Sequence, residues 1–207
     1  MKIHWKTKNR ISRRITMLVA CMVVTAAMQV IASNGGNAEA YNESITVPEV
    51  EEGGKSYVRD YQMTKAKSLV KAGFEVEMMR HREVIVVIVP AHQLFAPGSA
   101  KITAKGERRL RTVVSYFVSP GFYRIVVAGY TDNTGNEAYC QRRSTEQATA
   151  VADWLRKETA DKHEIVEFGM GNASPLLPNN TVANRAVNRR IEILLVPGEG
   201  LIEQAME

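Results

Sequence analysis

The sequence predicts an α/β sandwich, helices packed on a sheet, preceded by an apolar leader. Short β-branched runs alternate with segments of helical periodicity. Glycine and proline fall between them. The first forty residues also differ in composition from all that follows.

Residues 55–72 hold no breaker and predict a helix of weak amphipathicity, ended by Gly73. Residues 74–79 alternate as a strand, Arg80-His81-Arg82 turns the chain, and 84–89 is the strongest strand, stopped by Pro90. Ser99 is a candidate cap for a helix in which Leu110, Val113, Val114 and Phe117 recur at helical spacing; Pro120-Gly121 breaks it. Residues 122–128 form a second buried strand. After the turn at 129–139 comes a long helix with Ala148, Val151, Ala152 and Leu155 on one face and Glu146, Asp153 and Arg156 on the other. A strand at 163–168, a loop at 169–178, a short helix at 181–187 and a last strand at 191–196 complete the pattern.

The charge excludes one class of function. The formal net charge is +5, yet six of the 27 basic residues lie in the first fourteen positions. Of the 22 acids only Glu39 precedes residue 41, which leaves 21 of each sign in residues 41–207. A nucleic-acid-binding domain needs a basic surface to neutralise phosphates, and this body is formally neutral.

The basic flank is followed at 15–32 by an uncharged apolar stretch, the layout of a signal peptide and just long enough for an uncut membrane anchor. Basic residues ahead of it keep the N-terminus in the cytoplasm and deliver the rest outside. Ala32 and Ala40 end two small-residue cleavage points. Leu18-Val19-Ala20-Cys21 fits a lipoprotein processing box, though few apolar residues precede it and an apolar run follows. Ser12-Arg13-Arg14 resembles a twin-arginine signal, with Thr16 where a large apolar residue is expected. An ordinary signal peptide or anchor is the preferred reading. Residues 33–54, rich in Gly, Asn and Glu, have the composition of a linker.

With Cys21 in the leader, Cys140 is alone in the folded part, and no disulfide framework is expected. His4, His81, His92 and His163 lack ligand spacing, so neither a metal nor another cofactor is expected. Asp132 has no partner acid, Ser144 no matched histidine, and Gly169-Met170-Gly171 opens no phosphate-binding helix. The chain is not expected to be an enzyme.

Three fragments carry a resemblance. Gly129-Tyr130-Thr131-Asp132-Asn133-Thr134-Gly135 follows a strand, and a helix opens with Tyr139-Cys140-Gln141-Arg142-Arg143-Ser144-Thr145-Glu146-Gln147-Ala148. The chain then closes with Asn188-Arg189-Arg190-Ile191-Glu192. In order and spacing these resemble the peptidoglycan-binding domain of the OmpA family, over roughly residues 84–196, and Gly169, Gly171 and Pro175 also fit. The resemblance implies a βαβαβ domain, an α+β sandwich with helices on one mixed sheet. It divides the chain into a signal peptide or anchor (1–32), a linker (33–54), a preceding helix and strand (55–80), the domain (81–198) and a tail (199–207).

The resemblance also implies a ligand, the diaminopimelate of the peptidoglycan stem peptide, whose free end is a zwitterion. Such a ligand needs a carboxylate for its ammonium group and cationic or N–H donors for its carboxylate. Asp132 is the candidate acid, with Thr131 beside it, and Arg189 and Arg190 match a family pair in or near the site. Gln147 stands where the family has an arginine, Cys140 replaces an asparagine, and Arg143 replaces a leucine. A glutamine brings no charge, and Arg143, one helical turn before it, is placed to supply one. The expected partners are peptidoglycan, a membrane through the N-terminal segment, and other envelope proteins; nucleic acid is not among them. The alternative is an envelope adaptor that keeps the fold, has lost wall binding and contacts a protein. A motor stator is set aside because the apolar stretch has no ionisable group.

Overall fold

The structure is a computed structural model describing residues 35–117, 120–160 and 162–207; the expected leader at 1–32 lies outside them. No helix among the described residues is long and apolar enough to cross a membrane.

Among the described residues, seven α-helices pack around one five-stranded sheet. In chain order they are α1 (Gly35–Ser44), α2 (Glu52–Lys71), β1 (Glu75–Met79), β2 (Val84–Pro90), α3 (Ala91–Leu94), α4 (Ala104–Val114), β3 (Tyr123–Tyr130), α5 (Glu137–Thr159), β4 (Glu164–Gly169), α6 (Val182–Asn188), β5 (Arg190–Pro197) and α7 (Glu199–Met206). The sheet order is β1-β2-β5-β3-β4, antiparallel throughout except for β3 and β4, which are parallel. Parallel neighbours need a long crossover, and α5 supplies it. The expected mixed sheet with helices packed on it is what the chain forms.

The period-two alternation of β2, β3 and β5 divides the apolar residues between two faces. Ile85, Val87, Ile125, Val127, Ile193 and Leu195 pack under α2, α4, α5 and α7. Val84, Val86, Val126, Ala128 and Leu194 lie on the other face, with Tyr41 and Ile45 packed against them. Between α2 and the sheet, Gln62 is fully buried and satisfied. Its Nε2 donates to the carbonyls of Glu83 (2.8 Å) and Leu195 (3.2 Å), and its Oε1 accepts from the Tyr123 hydroxyl (3.1 Å).

Three elements depart from expectation. Part of the segment read as linker, 33–54, is helix α1, held by burial of Tyr41 and Ile45. Tyr41 in the helix and Ile45 just past its end are four apart and pack on the same cluster. The segment read as a tail, 199–207, is mostly helix α7, which buries Leu201 and Ile202 in the core. The cap of α4 is Thr103, whose Oγ1 accepts from Gly106 N at 3.0 Å, rather than Ser99, whose hydroxyl accepts from Lys101 N in a local turn.

Candidate functional site

One end of the sheet gathers the residues that the motifs singled out. Register pairs Pro90 with Arg190 and Arg190 with Tyr130, so the end of β2, the start of β5 and the end of β3 lie in one row. Ala91 N donates to Arg189 O at 2.9 Å, which ties the segment after β2 to the residue before β5.

Helix α5 crosses this row at close range because two glycines admit it. A Cβ at Gly129 would lie 2.4 Å from Ser144 O, and one at Gly169 would lie 2.1 Å from Thr145 Oγ1. Any side chain at either position would lift α5 off the parallel pair. Ser144, buried beneath the helix, accepts from Gly171 N at 2.8 Å and donates to Gln141 O at 2.9 Å. Gly171 O in turn accepts from Thr131 N at 2.7 Å. The loop after β4 and the loop after β3 are thus locked to each other through α5.

A cleft of about 490 Å³ opens over this frame. Thr131, Asp132 and Arg189 contribute to its lining from the sheet end. Tyr139, Arg143 and Gln147 contribute from α5, and His92, Phe95 and Pro97 from the segment after β2. Asp132 is almost fully buried. Its Oδ1 accepts from Thr134 N at 2.8 Å, and its Oδ2 accepts from Arg189 Nη1. Burial pushes the Asp132 carboxyl up, but the bonds from Thr134 and Arg189 outweigh it and hold the group below its usual value. Thr131 Oγ1 is buried and has no hydrogen-bond partner among the described residues.

Arg143 lines the same cleft as Gln147, and its Nη1 lies 3.6 Å from Glu146 Oε2. Gln147 Nε2 donates to Ser99 O at 3.3 Å. The cleft therefore brings together Thr131, Asp132, Arg143, Gln147 and Arg189. It does not include Arg190, which is only 1% exposed. Its Nε donates to Glu192 Oε1 at 2.7 Å, its Nη2 to Ser174 O at 3.2 Å, and its guanidinium lies 3.7 Å from the centre of the Tyr130 ring.

Asn188, first of the Asn-Arg-Arg run, clamps the loop before α6. Its side chain accepts from Leu177 N at 2.9 Å and donates to Leu177 O at 2.7 Å. Cys140 is fully buried, with its thiol 3.5 Å from the carbonyl of Asp132. Sequence reasoning missed the cleft wall of His92 and Phe95, for which the sequence carried no signal. It also passed over Tyr139, although that residue opens the helix motif.

Residues 94–189 match the model described as the OmpA family. The Escherichia coli protein named "Probable lipoprotein YiaD" is 32% identical over 145 residues, covering 70% of this chain and 66% of that protein. "Peptidoglycan-binding protein ArfA" of Mycobacterium tuberculosis is 39% identical over 72 residues, 35% of this chain and 22% of that protein. The chain spans 66% and 64% of the first two curated relatives it matches. Among solved structures, the cell wall anchor of the T6SS from Pseudomonas aeruginosa superposes with a TM-score of 0.58 at 25% identity, covering 67% of this chain and 99% of that one. A MotB-like protein from Desulfovibrio vulgaris, at 24% identity and a TM-score of 0.60 over 68% of this chain and 93% of that one, shares the fold. Residues 94–189, which hold Asp132, Arg143 and Arg189, thus form an OmpA-family region of the chain.

Proposed function

We propose that this domain binds peptidoglycan non-covalently, through the diaminopimelate of the stem peptide, and so tethers an envelope protein to the cell wall. The observation that carries the reading is the Asp132–Arg189 pair at the sheet end of the cleft, with Arg143 on the cleft wall. The free end of diaminopimelate carries one ammonium and one carboxylate. Asp132, held ionised, takes the ammonium; Arg189 and Arg143 are placed for the carboxylate, with Gln147 as a neutral donor. Arg190 acts from behind, fixing the strand that presents Arg189. The domain works on the outer side of the membrane that the leader addresses, in the envelope. The relatives named as a peptidoglycan-binding protein and a cell wall anchor support the reading.

The test is sedimentation of the full chain with purified sacculi. Wild type is expected to pellet, free meso-diaminopimelate to compete, and Asp132→Ala to stay in the supernatant with its circular dichroism unchanged. Loss of a hydrogen bond to a charged group costs about 1.5–3 kcal/mol. Equal pelleting of wild type and variant would remove Asp132 from the site. Failure of both to pellet would favour a protein-binding adaptor.

A further inference from the structure

A second recess adjoins the cleft. It is shallow, about 540 Å³, and lined by Thr134, Gly135, Asn136, Ala138, Tyr139 and Arg142. Thr134 and Tyr139 line both spaces, so the two are continuous across that pair. Tyr139 is 45% exposed, an unusual position for a large ring, and is set in the first turn of α5 by its N–H bond to Asn136 Oδ1 at 2.8 Å. The Arg142 guanidinium lies 5.8 Å from the centre of that ring. Arg143 next to it has Glu146; Arg142 makes no ion pair among the described residues. At that distance the guanidinium lies near the ring without contacting its face, and its fork of N–H donors matches a carboxylate.

We infer that this recess is a second subsite, in which Arg142 receives the free α-carboxylate of the acidic residue preceding diaminopimelate in the stem peptide. The inference rests on the reading of the cleft given above. Glutamate in that peptide is joined through its γ-carboxyl, so its α-carboxylate stays free and ionised. With diaminopimelate in the cleft, the peptide must leave along an open side, and the next residues reach at most about 10 Å over three positions. On the opposite wall Ala96, Pro97 and Gly98 carry no charge, and His92 is the ionisable side chain that lines it. The Tyr139–Arg142 side, which shares Thr134 and Tyr139 with the cleft, offers a cation of the right sign. Tyr139 thus separates two charge-selective spaces and lies near the cation of the outer one.

The experiment is titration of the full chain with two synthetic tripeptides, alanyl-γ-glutamyl-diaminopimelate and the same peptide with the glutamate α-carboxyl amidated. Wild type is expected to bind the acid about threefold to fivefold more tightly than the amide, the weight of one exposed ion pair. Arg142→Ala is expected to bind both equally, at the affinity wild type has for the amide, and Arg142→Lys to restore part of the preference. A wild type without preference, or an Arg142→Ala variant that retains it, would overturn the second subsite while leaving the cleft intact. Failure of wild type to bind either tripeptide would overturn the cleft reading itself, and the subsite with it.

Discussion

Arg189 and Arg190 are adjacent and have separate environments: Arg189 reaches Asp132 in the cleft, whereas Arg190 is sealed against Glu192 and the Tyr130 ring. Removing one partner of a buried pair strands the other charge and costs about 3–5 kcal/mol. Arg190→Ala is therefore expected to lose stability on that scale in urea denaturation. Arg189→Ala, whose side chain is 44% exposed, is expected to lose clearly less stability and to lose sacculus binding instead. Equal destabilisation by the two would contradict this division.

Gln147→Arg is expected to tighten binding of the stem tripeptide by about 1–2 kcal/mol through a charge-assisted bond. The gain shrinks if Arg143, one turn away, already supplies the charge, because two guanidinium groups so placed repel. The double variant with Arg143→Leu measures that coupling. Weakening by Arg143→Leu that Gln147→Arg rescues assigns the charge to Arg143; independent, additive effects would deny it that part.

Asp132 gives a pH signature. Its carboxyl is held below the value of an unfolded aspartate, about 3.9, so the folded state binds its proton more weakly than the unfolded state does. Its stabilising contribution is then complete above about pH 4 and lost as the pH falls through the folded value. The stability gap between wild type and Asp132→Asn should narrow on acidification from about pH 6 to pH 2. A gap constant over that range would mean the carboxylate is not stabilised as the geometry implies.

Leu201 belongs to the core although it lies seven residues from the end of the chain. Leu201→Ala is expected to cost about 2–5 kcal/mol, the range for a fully buried leucine, and Met206→Ala, at 65% exposure, close to nothing. Thermal unfolding of the two variants decides it.

The central strands were legible as continuous apolar runs bounded by glycine and proline, the mark of strands buried on both faces, and α4 and α5 by apolar residues at helical spacing. Helices α1 and α7 were not. Among the described residues the fully buried apolar side chains are Tyr41, with Ile45 just past the helix, for α1 and Leu201 with Ile202 for α7, too few to establish a period in a polar surround. The contrast between Arg189 and Arg190 was partly readable: Glu192 lies two residues beyond Arg190, on the same face of a strand, and marks an ion pair within the sheet. The Asp132–Arg189 contact was not, since it joins residues 57 apart in sequence and exists only once β3 and β5 are neighbours. The motif identified which residues converge; the register of the sheet decided which of them face the ligand cleft.

The pairing of Asp132 with Arg189 has a consequence for ionic strength. The cleft contains an internal dipole, and on the proposed reading a zwitterion that enters it replaces one balanced set of charges with another. No net charge is transferred, so little in that exchange responds to screening ions, least of all on the buried Asp132 side, whereas the half-exposed Arg189 stays within the Debye length of about 8 Å in physiological salt. Ligands with only one sign of charge would leave either Asp132 or Arg189 unmatched. Under the proposed function, sacculus binding through this cleft is expected to change little with added salt, and a steep salt dependence would point to groups outside it.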